Sequence, residues 1–174
     1  MFVEYQPART DSLTKIIDDS IGAGEFVSSS YKVRIPLIPT DYVNDYIHLF
    51  TQPQIHTLDS IIINYEKKTT NQVAIITVDS QWIKKDSFDS FVIQLHNTWG
   101  VGQKDKNNGI VLAICPGYRI MRINFGYGIE KVTTEEQAQE IIQNIIKPAF
   151  KKDEYFIGTR DALVEITKKV PEVK

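Results

Sequence analysis

Residues 96–114 read HNTWGVGQKDKNNGIVLAI, two glycines one residue apart followed by an apolar run. Gly100-Val101-Gly102 is either a phosphate-cradling loop or a bend leading into a strand, and the two readings imply different folds. A dinucleotide fingerprint places its glycines after a strand and at the opening of a helix, where the helix N-terminus meets the pyrophosphate. Here the order is reversed. Upstream, Phe88, Phe91, Val92, Leu95 and Trp99 recur at helical spacing behind a capping Asp86 or Ser87, and downstream GIVLAI (109–114) reads as a buried strand. Gly100 is therefore expected to terminate the helix in the left-handed region and Gly102 to serve a turn. Gly126 and Gly128, in NFGYGIE, do follow a strand but lack a third glycine and a crossover unit. Exit from a hairpin explains them equally well, and neither pair supports a nucleotide site.

Working outward, QVAIITV (72–78) is a second continuous apolar, β-rich run, as expected for a strand covered on both faces. Before it, Thr51-Gln52-Pro53-Gln54 has the form of a capping box, and Ile55, Leu58, Ile62 and Tyr65 follow at helical spacing, predicting a helix of about four turns. Pro116-Gly117 predicts a turn joining GIVLAI to YRIMRINF (118–125) as a hairpin. Thr134–Gln137 is another capping box; it opens a helix with Ala138, Ile141, Ile142 and Ile145 inward, which Pro148 closes or kinks. A last helix spans about 156–169, with Leu163, Ile166 and Val170 on one side. A strand–helix–strand crossover implies a parallel pair, and the hairpin adds an antiparallel edge. The expected fold is α/β: a three-layer α/β/α sandwich with a mixed sheet over residues 40–174. Residues 1–39 read as an extension packed on that domain. In it Leu13, Ile16, Ile17 and Ile21 share a helix face ended by Gly22 and Gly24, and Tyr31, Val33 and Ile35 alternate as a strand.

Composition narrows the function. The chain has 174 residues, 42% hydrophobic and 24% charged, with a net charge of −2. That is ordinary for a globular domain, and no overall positive field draws nucleic acid or an anionic membrane. Cys115 is the only cysteine; it excludes an internal disulfide and a cysteine-based zinc cage, and it reads as a small buried thiol. His48, His56 and His96 lack metal-motif spacing and read as surface or boundary residues. No apolar run is long enough to span a bilayer and no signal peptide begins at Met1, so a cytoplasmic monomer is expected if Met1 is native, and the cell envelope if a leader or anchor has been removed.

WGVGQKDKNNGIVLAI followed by RIMRINFGYGIEKVTTEEQ resembles the TPM domain family. Its members show a Trp-Gly-Ile-Gly-x-Lys loop, an Asp-Asn-Gly strand start and the run Arg-x-x-Arg-Ile-Glu-x-Gly-Tyr-Gly-Leu-Glu. YVNDY (42–46), YEKKTTNQVAIITV (65–78) and IIKPAFKKDEYFIGTRDALVEI (145–166) extend the likeness, in order, over residues 41–170. The resemblance implies an α/β/α domain found in plant photosystem II repair, animal receptor accessory proteins and many bacterial envelope proteins. Some members bind calcium, and an acid phosphatase activity has been proposed for the plant branch.

Alignment on Gly109 puts Asn107 where the family has the Asp of Asp-Asn-Gly, beside Asn108, and Asn124 where it has the Glu of Arg-Ile-Glu. Calcium prefers several oxygen ligands with net negative charge, and an amide keeps an oxygen but loses the charge. Calcium binding, and metal-assisted hydrolysis with it, is therefore expected to be weakened or lost, leaving no resident cofactor. Asp45 matches the family motif, with a turn or cap as its plain alternative. Asp79, with Ser80, follows the first buried strand, where open α/β sheets place ligands. Asp45 and Asp79 are the best remaining metal ligands. Asp105 reads as a solvated loop charge. Arg122 alternates with Ile120 and Asn124, so it either binds an anion or guards an edge strand against aggregation; Glu130 faces the same loops or caps the next helix. Asp45 and Asp79 should lie at one end of the sheet, and residues 100–109 with Gly126–Glu130 at the other, so one site cannot hold both. Three functions follow: a non-catalytic module binding a protein partner or small anion, which the lost acids favour; a calcium-dependent phosphatase-like hydrolase; or a structural domain regulated by its extension.

Overall fold

The computed structural model describes residues 39–174 and, before them, the backbone of two strands, β1 (Glu25–Ser28) and β2 (Tyr31–Pro36), paired antiparallel. The strand expected around Tyr31–Ile35 is β2. β1 is four residues long, too short for a period to announce it. The helix expected over residues 13–21 lies outside the described residues.

The main sheet has four strands in the order β3-β4-β5-β6: β3 (Val43–Asp45), β4 (Gln72–Thr77), β5 (Gly109–Cys115) and β6 (Ile120–Phe125). β3 and β4 are parallel, with Asp45 opposite Thr77, and β4 and β5 are parallel, with Gln72 opposite Gly109. β6 returns antiparallel, placing Phe125 opposite Ile110 and Ile120 opposite Cys115. The reversal is a single 3-10 turn, Pro116–Tyr118, followed by Arg119 at φ 52°. The expected mixed sheet is present, with one strand more than the pattern indicated; β3 spans only three residues and carries no alternation to read.

Alternate residues of β5 sort into two cores. Ile110, Leu112 and Ile114 face α1 (Gln52–Thr69) and α6 (Tyr155–Lys169), while Val111, Ala113 and Cys115 face α2 (Phe88–Trp99). Burial on both faces explains the unbroken apolar run. α2 buries Phe88, Phe91, Val92, Leu95 and Trp99, the stripe its spacing predicts, and the first core includes Leu58, Ile62, Leu163 and Ile166. The Thr51–Gln54 capping box forms at the start of α1, with the Gln54 side-chain oxygen accepting from the Thr51 N–H at 2.9 Å.

After the four-residue α3 (Tyr127–Glu130), the helix begun at the Thr134 capping box runs as α4 (Glu135–Ile141), a π-helical stretch Ile142–Ile146 and α5 (Lys147–Phe150). The wide turn changes the inward set. Ile146 is buried with Ile141, whereas Ile142 and Ile145 rest half-buried at the edge of the core. Pro148 supplies the cause: lacking an N–H, it cannot continue the regular ladder, and the preceding turn widens.

Candidate functional site

The parallel strands have two ends, and the candidate residues divide between them. At the carboxyl end, Asp45 Oδ1 accepts from the Thr77 hydroxyl at 2.7 Å and the Leu49 N–H at 2.9 Å, and Oδ2 accepts from the Phe50 N–H at 2.8 Å. This carboxylate holds the turn between β3 and α1. Asp79 Oδ1 accepts from the Gln81 N–H at 2.8 Å, an Asx turn that reverses the chain. Ser80 is packed against Gly117, where a Cβ would fall on its hydroxyl oxygen, and the Tyr118 hydroxyl lies 3.0 Å from the carbonyls of both Ser80 and Ile83. Cys115 is buried, and burial pushes its thiol pKa up. Asp45, Asp79 and Tyr118 are thus committed to the turns of this end, although the Tyr46 hydroxyl next to Asp45 is buried without a hydrogen-bond partner among the described residues.

At the amino end, the quoted loop docks on the exit from β6. Gly100 (φ 58°) terminates α2, donating its N–H to the His96 carbonyl at 2.9 Å, and Gly102 adopts φ 108°. Gly126 donates to the Gly109 carbonyl at 2.8 Å, and Gly128 to the Asn107 carbonyl at 3.0 Å. A Cβ at Gly109 would strike the Val101 carbonyl, and one at Gly128 the Lys106 carbonyl. The glycines thus serve close backbone approach between two loops. Asn108 is fully buried behind them: its Oδ1 accepts from the Gln103 N–H at 2.7 Å and its Nδ2 donates to the Thr70 carbonyl at 2.8 Å.

In front of this joint, α2, β6 and the 100–107 loop enclose a cleft of about 430 Å³. Asn107, Arg122, Asn124 and Glu130 line it together; so do Ile93, His96, Asn97, Gln103, Lys104 and Tyr127, none of which the sequence pattern singled out for a site. The separation expected between the two candidate groups is present, with Asp45 and Asp79 at the far end of the sheet. Among the described residues no three His, Cys, Asp or Glu side chains converge on a common point.

His96 corrects the boundary reading. It is 6% exposed, four residues after the buried Val92 and on the same helix face. That spacing was the available signal. Its Nε2 lies 3.2 Å from the Val101 carbonyl, which can only accept, so Nε2 carries the proton. Nδ1 then accepts from Asn124 Nδ2 at 2.7 Å. Burial lowers the His96 pKa, partly opposed by the bond to Val101, and the neutral ring fixes which end of the Asn124 amide it holds.

Other polar groups in the cleft have no internal bonds, and Asn97, Lys104, Asn107 and Glu130 among them are exposed to solvent. Among the described residues, the side chains of Asn97, Gln103, Lys104, Asn107 and Glu130 make no hydrogen bond or ion pair. Arg122 Nη1 stands 3.6 Å from the exposed Asp89 carboxylate, and Arg122 Nε is buried without a partner among the described residues. Beside them Tyr127 is 77% and Ile93 43% exposed. With His96 neutral, the lining carries two cations (Lys104, Arg122) against one anion (Glu130). Such a surface suits a small polar ligand with an apolar part.

The model of the TPM domain matches residues 43–169. The chain belongs to the TPM domain family. No curated protein matches it. Among solved structures, the N-terminal domain of a P. gingivalis protein shares 23% identity at a TM-score of 0.65, covering 74% of this chain and 81% of that one. The N-terminal domain of the cg2496 protein of Corynebacterium glutamicum shares 14% identity at a TM-score of 0.58, covering 78% and 84%. The BA42 protein of the psychrophilic bacterium Bizionia argentinensis shares 17% identity at a TM-score of 0.61, covering 74% and 88%. At these identities the likeness is one of fold. Asn107 and Asn124, the two positions at which the resemblance leads one to expect acids, both line the amino-end cleft. No helix among the described residues is long and apolar enough to cross a membrane.

Proposed function

We propose that this TPM domain is a non-catalytic binding module whose ligand site is the amino-end cleft, with calcium binding weakened or lost. One observation carries the reading: the cleft that gathers Asn107, Asn124 and Glu130 offers one carboxylate where the family pattern supplies three, and it adds Arg122 and Lys104. A divalent cation needs several charged oxygens to repay its dehydration, and two nearby cations oppose it. An anion meets the opposite field, with a guanidinium able to pair with it. Support also comes from the other end of the sheet, where the Asp45 carboxylate is engaged by three donors. An accessory role for a partner protein rests on the same cleft and on the exposed Tyr127 beside it.

Calcium titration followed by calorimetry and amide NMR tests this. The native chain should show no saturation at micromolar calcium, and an Asn107→Asp, Asn124→Asp double variant should gain affinity about tenfold or more by restoring the charge. Saturable micromolar binding by the native chain, with phosphomonoester turnover that calcium supports, would instead establish the hydrolase reading.

A further inference from the structure

The cleft presents both signs of charge, and they do not neutralise each other. Glu130 lines the same cavity as Lys104 and Arg122, yet it lies within 4 Å of neither. Arg122 reaches Asp89 at 3.6 Å while its Nε is buried with no bond to any described residue. Separated opposite charges in one concave site, beside solvent-exposed amides that no internal bond holds, match a ligand that itself carries a cation and an anion. Ile93 and Tyr127 add apolar surface at the rim, and about 430 Å³ suits a molecule of one to three residues' size.

Resting on the reading of the cleft as a binding site, we propose that its ligand is a small zwitterion of amino-acid character, a free α-amino acid or a di- or tripeptide with an apolar side chain. The carboxylate pairs with the Arg122 guanidinium, displacing its long contact to Asp89, and Lys104 adds to the positive field. The ammonium group pairs with Glu130. The side chain lies against Ile93 and Tyr127. Asn97, Gln103 and Asn107 supply the remaining hydrogen bonds, and Asn124, held by His96, keeps a fixed orientation in the lining.

The test is calorimetry and amide NMR on the full chain with L-leucine, L-phenylalanine, Leu-Leu, N-acetyl-L-leucine, L-leucinamide and isovalerate. At least one of the first three should saturate below millimolar concentration, with shifts centred on Asn97, Arg122, Asn124 and Glu130; whether Leu-Leu or the free amino acids win decides between peptide and monomer. Removing either charge, by acetylation or amidation, should weaken binding about tenfold. Arg122→Leu should abolish it. Glu130→Gln should weaken the zwitterion about tenfold yet leave the weaker N-acetyl compound unchanged, a coupling that misfolding cannot imitate. Equal binding of isovalerate and L-leucine would overturn the zwitterion while leaving an anion-binding module intact. No shift from any of the six compounds would overturn this inference alone, and micromolar calcium saturation of the native cleft would overturn both readings.

Discussion

The two ends of the sheet use the same residue types to opposite effect. At the carboxyl end a carboxylate, Asp45, accepts three hydrogen bonds and so becomes part of the scaffold. At the amino end a carboxylate, Glu130, and the amides of Asn97 and Asn107 have no partner among the described residues. Open α/β sheets commonly place ligands at the carboxyl end, but here that end is closed by a satisfied turn, a serine under Gly117 and the Tyr118 hydroxyl. A residue's type therefore indicates less than whether its polar atoms are already engaged. Engagement marks framework, whereas the exposed Asn97, Asn107 and Glu130 are held by solvent alone and stay free to exchange it for a ligand.

The sharpest way to break the contrast is at the joint behind the cleft. Gly109→Ala would drive a methyl group into the Val101 carbonyl and against His96 Nε2 at 2.8 Å. It should cost about 3 kcal/mol of stability, read as a lowered urea midpoint, with cleft resonances shifted throughout. Asp45→Ala should cost about 2 kcal/mol by leaving backbone donors unpaired, while any ligand titration of the cleft stays as in the parent. If Asp45→Ala instead left stability intact, the claim that the carboxyl end is framework would fall.

His96 gives a pH-dependent version. Its folded pKa lies below the ordinary 6.5, so the folded state binds fewer protons than the unfolded state between those two values. Stability should be full above about pH 6.5 and decline as the pH falls towards the folded value. Urea midpoints across that range would show it, and His96→Gln, with no group titrating there, should flatten the slope. Smallest of all, Asn97→Ala should change stability by no more than about 0.5 kcal/mol, because its amide holds nothing in the fold. A larger loss would mean that the cleft's polar surplus is structural.

Much of the architecture was legible in advance because the main elements carry long, regular patterns. The α2 stripe, the doubly buried β5 and both capping boxes appear where the spacing puts them. What escaped was short or aperiodic. β3 has three residues, and the π-helical turn before Pro148 exchanges Ile145 for Ile146 in the core. The cleft was half legible. Asn107, Arg122, Asn124 and Glu130 stood out beside the family pattern, and the spatial split from Asp45 and Asp79 followed from strand direction. Asn97, Gln103 and Lys104 are ordinary polar residues in sequence, and only the tertiary approach of α2 to β6 collects them. His96 was misjudged because a histidine between Leu95 and Asn97 looks like a boundary residue until the helix phase is counted from Val92.

One tie at the back of the molecule has a mechanical meaning. Asn71 Nδ2 donates to the Tyr65 hydroxyl and to the Pro171 carbonyl, at 2.8 and 2.9 Å, and the Tyr65 hydroxyl donates in turn to the Val170 carbonyl at 2.9 Å. Two residues on, Glu172 stands 3.8 Å from Lys106 Nζ, and Lys106 is the residue whose carbonyl presses on Gly128. The tail is a strap across the rear of the loop that walls the cleft. Strain on residues 170–172 would therefore reach the loop that walls the cleft through Lys106, without passing through the sheet.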